Sequence, residues 1–248
     1  MQGKSVSIEA QDGACHSTAL GHSTLDIAIG GGLARGRLHE LFAAERADSS
    51  SAAGFTAMLA CLVNQGRAPL FWLREDMAER QARLYPPGLA EIGIDPERIV
   101  LVALPDPVTL LRTAVDVARC ASVGVAVIEV WRSPRALDLT ASRRLALAAK
   151  ASGVTILLLR VEAEPGPSAA QTRWSVHAAP STALEAGAPG RPSFIIKLLR
   201  QRGRPDGGTW HLEWDRDRSS FRDTTLSGSM VSVSLGRSLA RGAPLRTG

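Results

Sequence analysis

Apolar runs alternate with amphipathic stretches between residues 37 and 160. The runs VGVAVIEVW (123–131) and VTILLLR (154–160) are almost continuously apolar, which indicates strands covered on both faces of a sheet. The stretches between the runs have helical spacing. This alternation predicts an α/β fold with a doubly wound, mostly parallel sheet. The predicted strands are 37–42, 70–73, 99–104, 123–131 and 154–160, and the predicted helices lie near 55–66, 77–91, 107–121 and 140–152.

The pattern changes after Arg160. Residues 172–179 alternate between polar and apolar positions, and 193–201 and 209–215 follow as two strands joined by RGRPDGG. These two strands predict an antiparallel hairpin that extends the sheet at its C-terminal end. Few large apolar residues occur from about Asp223 onward, which is typical of a flexible tail. We therefore expect three parts: a flexible N-terminus (1–19), a core that includes the hairpin (20–222) and a basic flexible tail (223–248).

The composition is that of a globular protein. The 248 residues are 45% hydrophobic and 21% charged, which supports one well-buried core. No run of 18 apolar residues occurs and the first residues are polar, so we expect neither a membrane span nor a secretory signal. Cys15, Cys61 and Cys120 are too dispersed for a disulfide framework or a metal site, and the histidines are equally scattered. We expect a cytoplasmic protein without a bound metal or cofactor.

The junction after the first predicted strand, AAERADSSSAAGFTA (43–57), lies where a phosphate-binding loop would be. Such a loop needs glycines, a lysine for the terminal phosphates and a Ser or Thr for Mg²⁺. Gly54 and Thr56 match the last glycine and the Ser/Thr of this motif, but Phe55 stands in the place of the lysine. None of the chain's few lysines lies nearby. We expect a long loop over 43–56, a helix whose core face begins at Phe55, and no nucleotide hydrolysis.

Two acidic residues end predicted strands that could be neighbours. Glu129 closes the run VAVIEV, and Glu75 follows LFWLR. In an ATPase, acids at these places orient Mg²⁺ and activate the attacking water. The alternative is that both are ordinary solvated acids beside Arg74 and Arg132. Because the phosphate lysine is missing, we assign no catalytic residue and treat five residues as a degenerate nucleotide site: Gly54, Phe55, Thr56, Glu75 and Glu129.

Positive charge is concentrated near the C-terminus. Residues 1–190 contain 18 Lys and Arg against 19 Asp and Glu, whereas residues 191–248 contain 11 against 5. Arginine interleaved with tryptophan suits contact with phosphates and bases. However, Trp210 and Trp214 share parity with Leu212, which indicates a common core face. DNA binding, docking of a protein partner and a solvated face are therefore all open for six arginines: Arg200, Arg202, Arg204, Arg216, Arg218 and Arg222.

Several segments resemble the core of the RecA recombinase. LFWLRED (70–76) resembles the strand that ends in its catalytic glutamate, with Glu75 at the matching position. VGVAVIEVW (123–131) resembles the strand that carries its magnesium-orienting acid, with Glu129 in place of Asp. The similarity to the ImuA family of bacterial mutagenesis proteins is closer and spans most of residues 20–223. It is carried by GRLHELF, SSAAGFTAMLA, ARLYPPGLAEIGIDPERI, PRALDLTASRRLALAAKASGVTILLLR, AAQTRWSVHAAPS and HLEWDRDRSSFRD.

The resemblance to ImuA implies a RecA-like fold without ATP turnover and a role in the SOS response to DNA damage, in mutagenic translesion synthesis. The implied partner is ImuB, an inactive relative of the Y-family polymerases. RecA and an error-prone C-family polymerase are further implied partners, and weak DNA binding stays open from the C-terminal arginines. Two alternatives stay open: a weak DNA-dependent ATPase that uses Glu75 and Glu129, and a cell-division inhibitor of the SulA type.

Overall fold

A nine-stranded sheet is the central element of the computed structural model, which describes residues 16–66, 68–81, 83–181 and 190–224. Strands β8, β3, β7, β6, β4 and β5 lie side by side in that order and run parallel, and β9, β10 and β11 continue the sheet beyond β8 in antiparallel fashion. Strands β1 and β2 form a separate ribbon. The bounds are β1 (Ser17–Thr18), β2 (Leu33–Ala34), β3 (Leu38–Ala43), β4 (Leu70–Glu75), β5 (Ile99–Leu104), β6 (Val125–Trp131), β7 (Thr155–Val161), β8 (Thr172–Ala178), β9 (Ser193–Gln201), β10 (Thr209–Asp215) and β11 (Ser220–Asp223).

Helices cover both faces of the parallel strands. The helices of the described residues are α1 (Ser23–Ala28), α2 (Ser49–Asn64), α3 (Asp76–Gln81), α4 (Pro86–Glu91), α5 (Pro107–Arg119) and α6 (Leu139–Ser152). Helices α2 and α4 pack on one face, and α5 and α6 on the other. Asp106 and Asp138 accept hydrogen bonds from backbone N–H groups in the first turns of α5 and α6, and such caps determine where a helix begins. The result is three layers, helix, sheet and helix.

The largest apolar core joins α2 to the antiparallel strands. At its centre is Phe55, whose ring centroid lies 5.4 Å from that of Phe194 and 5.0 Å from that of Phe221. Trp214 packs on Phe221 at 5.0 Å. Aromatic pairs at these separations stabilise a fold beyond the area that they bury. This cluster therefore attaches the C-terminal strands firmly to the helical layer.

The predicted α/β fold with a mostly parallel sheet is confirmed, and so is its antiparallel C-terminal extension. The long loop predicted over 43–56 is wrong. A short 3₁₀ turn at Arg46–Asp48 leads directly into α2 at Ser49. The small residues of SSSAAG gave no apolar periodicity, yet they are compatible with a helix that buries only Ala52 in its first turn and a half.

The last described strand ends one residue beyond the core predicted over 20–222. Strand β11 pairs with β10 and was not predicted, and it extends the folded part through Asp223. At the other end, β1 lies within the segment 1–19 that was expected to be flexible. Residues 1–15 and 225–248 lie outside the described residues. No helix of the described chain combines the length and the apolarity needed to cross a membrane.

Candidate functional site

A crevice of about 280 Å³ lies at the carboxyl ends of the parallel strands, where β3 leads into α2. Ser49 and Gly54 of α2 form one wall, Tyr85 lies on the opposite side, and Arg74 and Glu129 lie at the base. In open α/β sheets, ligands bind outside the carboxyl ends of the strands. This crevice is therefore the place where a nucleotide would be held.

Glu129 is buried at the base of the crevice, with only 3% of its surface exposed, and it accepts three side-chain hydrogen bonds. Arg74 Nη2 and Trp131 Nε1 both donate to its Oε1, each at 2.8 Å. Trp72 Nε1 donates to its Oε2 at 2.9 Å. The strand register explains the arrangement, because Arg74 of β4 pairs directly with Glu129 of β6 and their side chains lie on the same face.

These bonds decide what Glu129 can do. A carboxylate that orients Mg²⁺ must offer an oxygen to the hydrated ion. Both oxygens of Glu129 already accept hydrogen bonds from a guanidinium or an indole within the protein. In this arrangement Glu129 is the anion that pairs with buried Arg74.

Glu75 lies on the other face of the sheet. It follows Arg74 on β4, and successive side chains of a strand point to opposite faces. Burial raises the pKa of Glu75, and the nearby charges of Asp106 and, less strongly, Glu129 raise it further. A hydrogen bond from the backbone N–H of Trp131 opposes this shift. The two predicted acids thus end adjacent strands, but they do not face one ligand together.

Gly54, Phe55 and Thr56 lie inside α2 and not at its start, because the helix begins at Ser49. Phe55 is 1% exposed and belongs to the aromatic core. The Thr56 hydroxyl donates to the carbonyl of Ala52 at 2.7 Å and is buried. Of the three, only Gly54 lines the crevice. The free N–H groups of the helix start belong to Ser49 and its neighbours, so the alignment of GFT with a phosphate loop does not match the local structure.

Both negative and positive side chains lie near the start of α2. Asp48 lies directly before the helix, where its Oδ1 accepts from the backbone N–H of Ala178 and its Oδ2 lies 2.8 Å from His177 Nδ1. This negative charge disfavours phosphate at the helix start. Conversely, Arg74 and Arg83 line the crevice and place positive charge there that was not predicted. The signal was present, since Arg74 directly follows the apolar run LFWL.

The six arginines near the C-terminus do not form one patch. Three lie at the hairpin between β9 and β10, and three lie at the opposite end of β10. A strand of seven residues separates the two groups by about 20 Å. In the second group, Arg222 lies 2.9 Å from Glu213 and Arg218 lies 3.3 Å from Asp215. Acidic partners therefore pair with two of the six arginines, Arg218 and Arg222.

Within the described residues, no group of three or more His, Cys, Asp or Glu side chains could hold a metal. Cys61 and Cys120 are free thiols in different places of the fold.

Comparison with known proteins places the fold in one class. The sequence matches no protein-family model and no curated protein. The structure, in contrast, matches 427 chains of known structure, so its architecture is widely used. One of them is a crystal structure of the RadB recombinase, with a TM-score of 0.55, 16% sequence identity, and coverage of 83% of this chain and 99% of the RadB chain. The fold is RecA-like. At this level of identity, the likeness establishes the RecA-like fold alone.

Proposed function

We propose that the protein is an accessory factor of DNA-damage-induced mutagenesis, of the ImuA type, that binds partner proteins and does not hydrolyse ATP. The segments that resemble ImuA support the role, and the RecA-like fold agrees with it. The observation that carries the proposal is the set of three hydrogen bonds that Glu129 accepts from Arg74, Trp72 and Trp131. A core whose magnesium acid serves as structural support is suited to act as a rigid scaffold.

The principal partner in this proposal is ImuB. RecA and an error-prone C-family polymerase would join the same assembly, and DNA would contribute weak additional contact.

Complex formation with ImuB tests the proposal. Purified full-length protein is mixed with ImuB, and co-elution is followed by size-exclusion chromatography. An active Y-family polymerase serves as the control partner. We expect a complex with ImuB and none with the control, and free elution of both proteins would overturn the proposal.

A weak ATPase that uses Glu75 and Glu129 is the second candidate function, because both acids lie near the carboxyl ends of adjacent strands. Phosphate release is measured with ATP, Mg²⁺ and DNA for the unmodified protein, Glu75→Gln and the neighbouring control Asp76→Asn. Our proposal predicts release no faster than in buffer for all three proteins. Magnesium-dependent release that is lost in Glu75→Gln and kept in Asp76→Asn would favour the ATPase.

A further inference from the structure

A second concavity, of about 540 Å³, lies between α6 and the starts of β3 and β8. We call it the basic groove, because its charged lining consists of Arg37, Arg143, Lys150 and Arg202. No carboxylate lines it. Among the described residues, none of these four cations lies within 4 Å of an acidic group.

Four cations line the basic groove and no carboxylate does, so their charge is not balanced within the lining. Elsewhere, Arg74 pairs with Glu129 at 2.8 Å and Arg173 with Glu40 at 2.9 Å. The neighbouring groove between α5 and α6 contains Asp116 along with its arginines. The basic groove is thus a local excess of positive charge that the described part of the protein does not balance.

The backbone around the basic groove is well fixed. Arg143 and Lys150 lie seven residues apart on α6, about 10 Å along its axis. The carbonyl of Arg37 accepts from the N–H of Ile156, and the N–H of Arg202 donates to the carbonyl of Gln171 at 3.0 Å. Fixed positions reduce the entropy that a bound ligand would have to remove.

The floor of the basic groove is apolar. Leu38, Ala146 and Ala169 lie beneath the cations, and Leu147 projects between Arg143 and Lys150 with 67% of its surface exposed. Phosphates do not require an apolar floor, and single-stranded bases stack on aromatic side chains, which are absent from this lining. Carboxylates combined with one apolar anchor match both features of the groove.

We propose that the basic groove binds an acidic segment of a protein partner, with an apolar side chain of that segment against Leu147. This inference rests on the proposed function, since it specifies how the scaffold would hold a partner. Carboxylates of the segment pair with the four cations at the rim, and the apolar side chain covers Leu38 and Leu147. Exposed ion pairs alone are weak, so the apolar contact is needed for useful affinity.

A labelled peptide tests the basic groove directly. The probe is a fluorescein-labelled peptide of about twelve residues in which aspartates flank one leucine and one phenylalanine, and binding to the full chain is followed by anisotropy. In Arg143→Gln with Lys150→Gln, we expect affinity to fall at least about fivefold. The charge-matched control, Arg216→Gln with Arg218→Gln, should stay within about twofold. Equal losses in both variants would show that binding follows net charge and would overturn the assignment.

Leu147→Ala separates peptide recognition from other polyanion binding. This substitution should weaken binding of the acidic peptide that contains leucine and phenylalanine. It should not change binding of a peptide that has glycine at both of those positions. A DNA duplex that displaces the peptide, binds more tightly and is insensitive to Leu147→Ala would assign the groove to nucleic acid and overturn the proposal. Melting temperatures of all variants confirm that each is folded.

Binding of ImuB to the same variants keeps the two proposals distinct. If ImuB binds the unmodified protein but the peptide shows no dependence on the groove, only the groove assignment fails. If the peptide results hold and ImuB does not bind, the proposed function fails and the groove remains a docking site for another acidic partner.

Discussion

The carboxylate of Glu129 and the guanidinium of Arg74 are both removed from solvent, with 3% and 1% of their surfaces exposed. Desolvation of such a pair offsets most of its attraction, so the pair itself adds little net stability. Loss of one partner has a different consequence, because it leaves the other charge buried and uncompensated.

We therefore predict that Glu129→Gln lowers the free energy of unfolding by about 3 kcal/mol or more, since the charge of Arg74 then lacks its anion. Adding Arg74→Met to that variant should recover part of the loss, because the amide oxygen still accepts from an indole and no charge stays buried. Urea unfolding of both variants and of Arg74→Met alone completes the cycle. Additive losses would contradict the coupling.

Glu75 is a half-buried acid whose ionised form is disfavoured. Its pKa in the folded protein lies above that in the unfolded chain, so the folded state binds the proton more tightly. The ionised group therefore lowers stability above its folded pKa, and this penalty disappears as the pH falls below the ordinary value of 4.5. Burial is the largest cause of the raised pKa of Glu75, and the charge of Asp106 is the second.

Replacing this acid with its amide should consequently stabilise the protein at high pH only. We expect Glu75→Gln to raise the urea midpoint at about pH 8 and to leave it unchanged at about pH 4. Asp76→Asn, on the adjacent residue, is the control and should show no such dependence. A gain of equal size at both pH values would contradict the raised pKa.

At the level of elements, apolar periodicity predicted the parallel strands and most helices, because a buried strand or an amphipathic helix has a local signature. The start of α2 had none, since Ser49–Ser51 suit a helix and a loop about equally. The register of β4 against β6 could not be predicted from the sequence either, because it depends on pairing between residues that are distant in the chain. That register places Arg74 beside Glu129 and turns Glu75 to the other face. Of the five residues predicted for the site, Gly54 and Glu129 line the crevice, and the pairing of Glu129 with Arg74 could not be predicted from the sequence.

The course of α2 also predicts that a lysine at residue 55 cannot rebuild a phosphate site. Phe55→Lys places a charge within the aromatic core and should lower stability by at least about 3 kcal/mol. Ser50→Lys, in the exposed first turn of α2 beside the crevice, should lower it by less than about 1 kcal/mol. Calorimetry with ATP should detect no binding by either variant. Clear ATP affinity in folded Phe55→Lys would contradict this placement.

At the scale of the whole molecule, the C-terminal strands complete the core of the RecA-like sheet. Phe221 of β11 is fully buried against Phe55 and Trp214, and its N–H donates to the carbonyl of Leu20 at 2.8 Å. His22 lies 2.7 Å from Asp223, which joins the same strand to the start of α1. The two ends of the described chain therefore stabilise each other. A short polar strand such as β11 is difficult to predict from the sequence. Its one buried ring, Phe221, packs on residues that are distant in the chain.

Two shortened chains test whether β11 stabilises the folded core. A chain that ends at Thr224 keeps every described strand and should unfold at the same urea midpoint as the full chain. A chain that ends at Ser219 loses β11 and the burial of Phe221, and we expect it to be less stable by about 3–5 kcal/mol. Phe221→Ala in the full chain separates loss of the ring from loss of the strand and should account for most of the difference. Indistinguishable unfolding of the two shortened chains would mean that the folded core ends before β11.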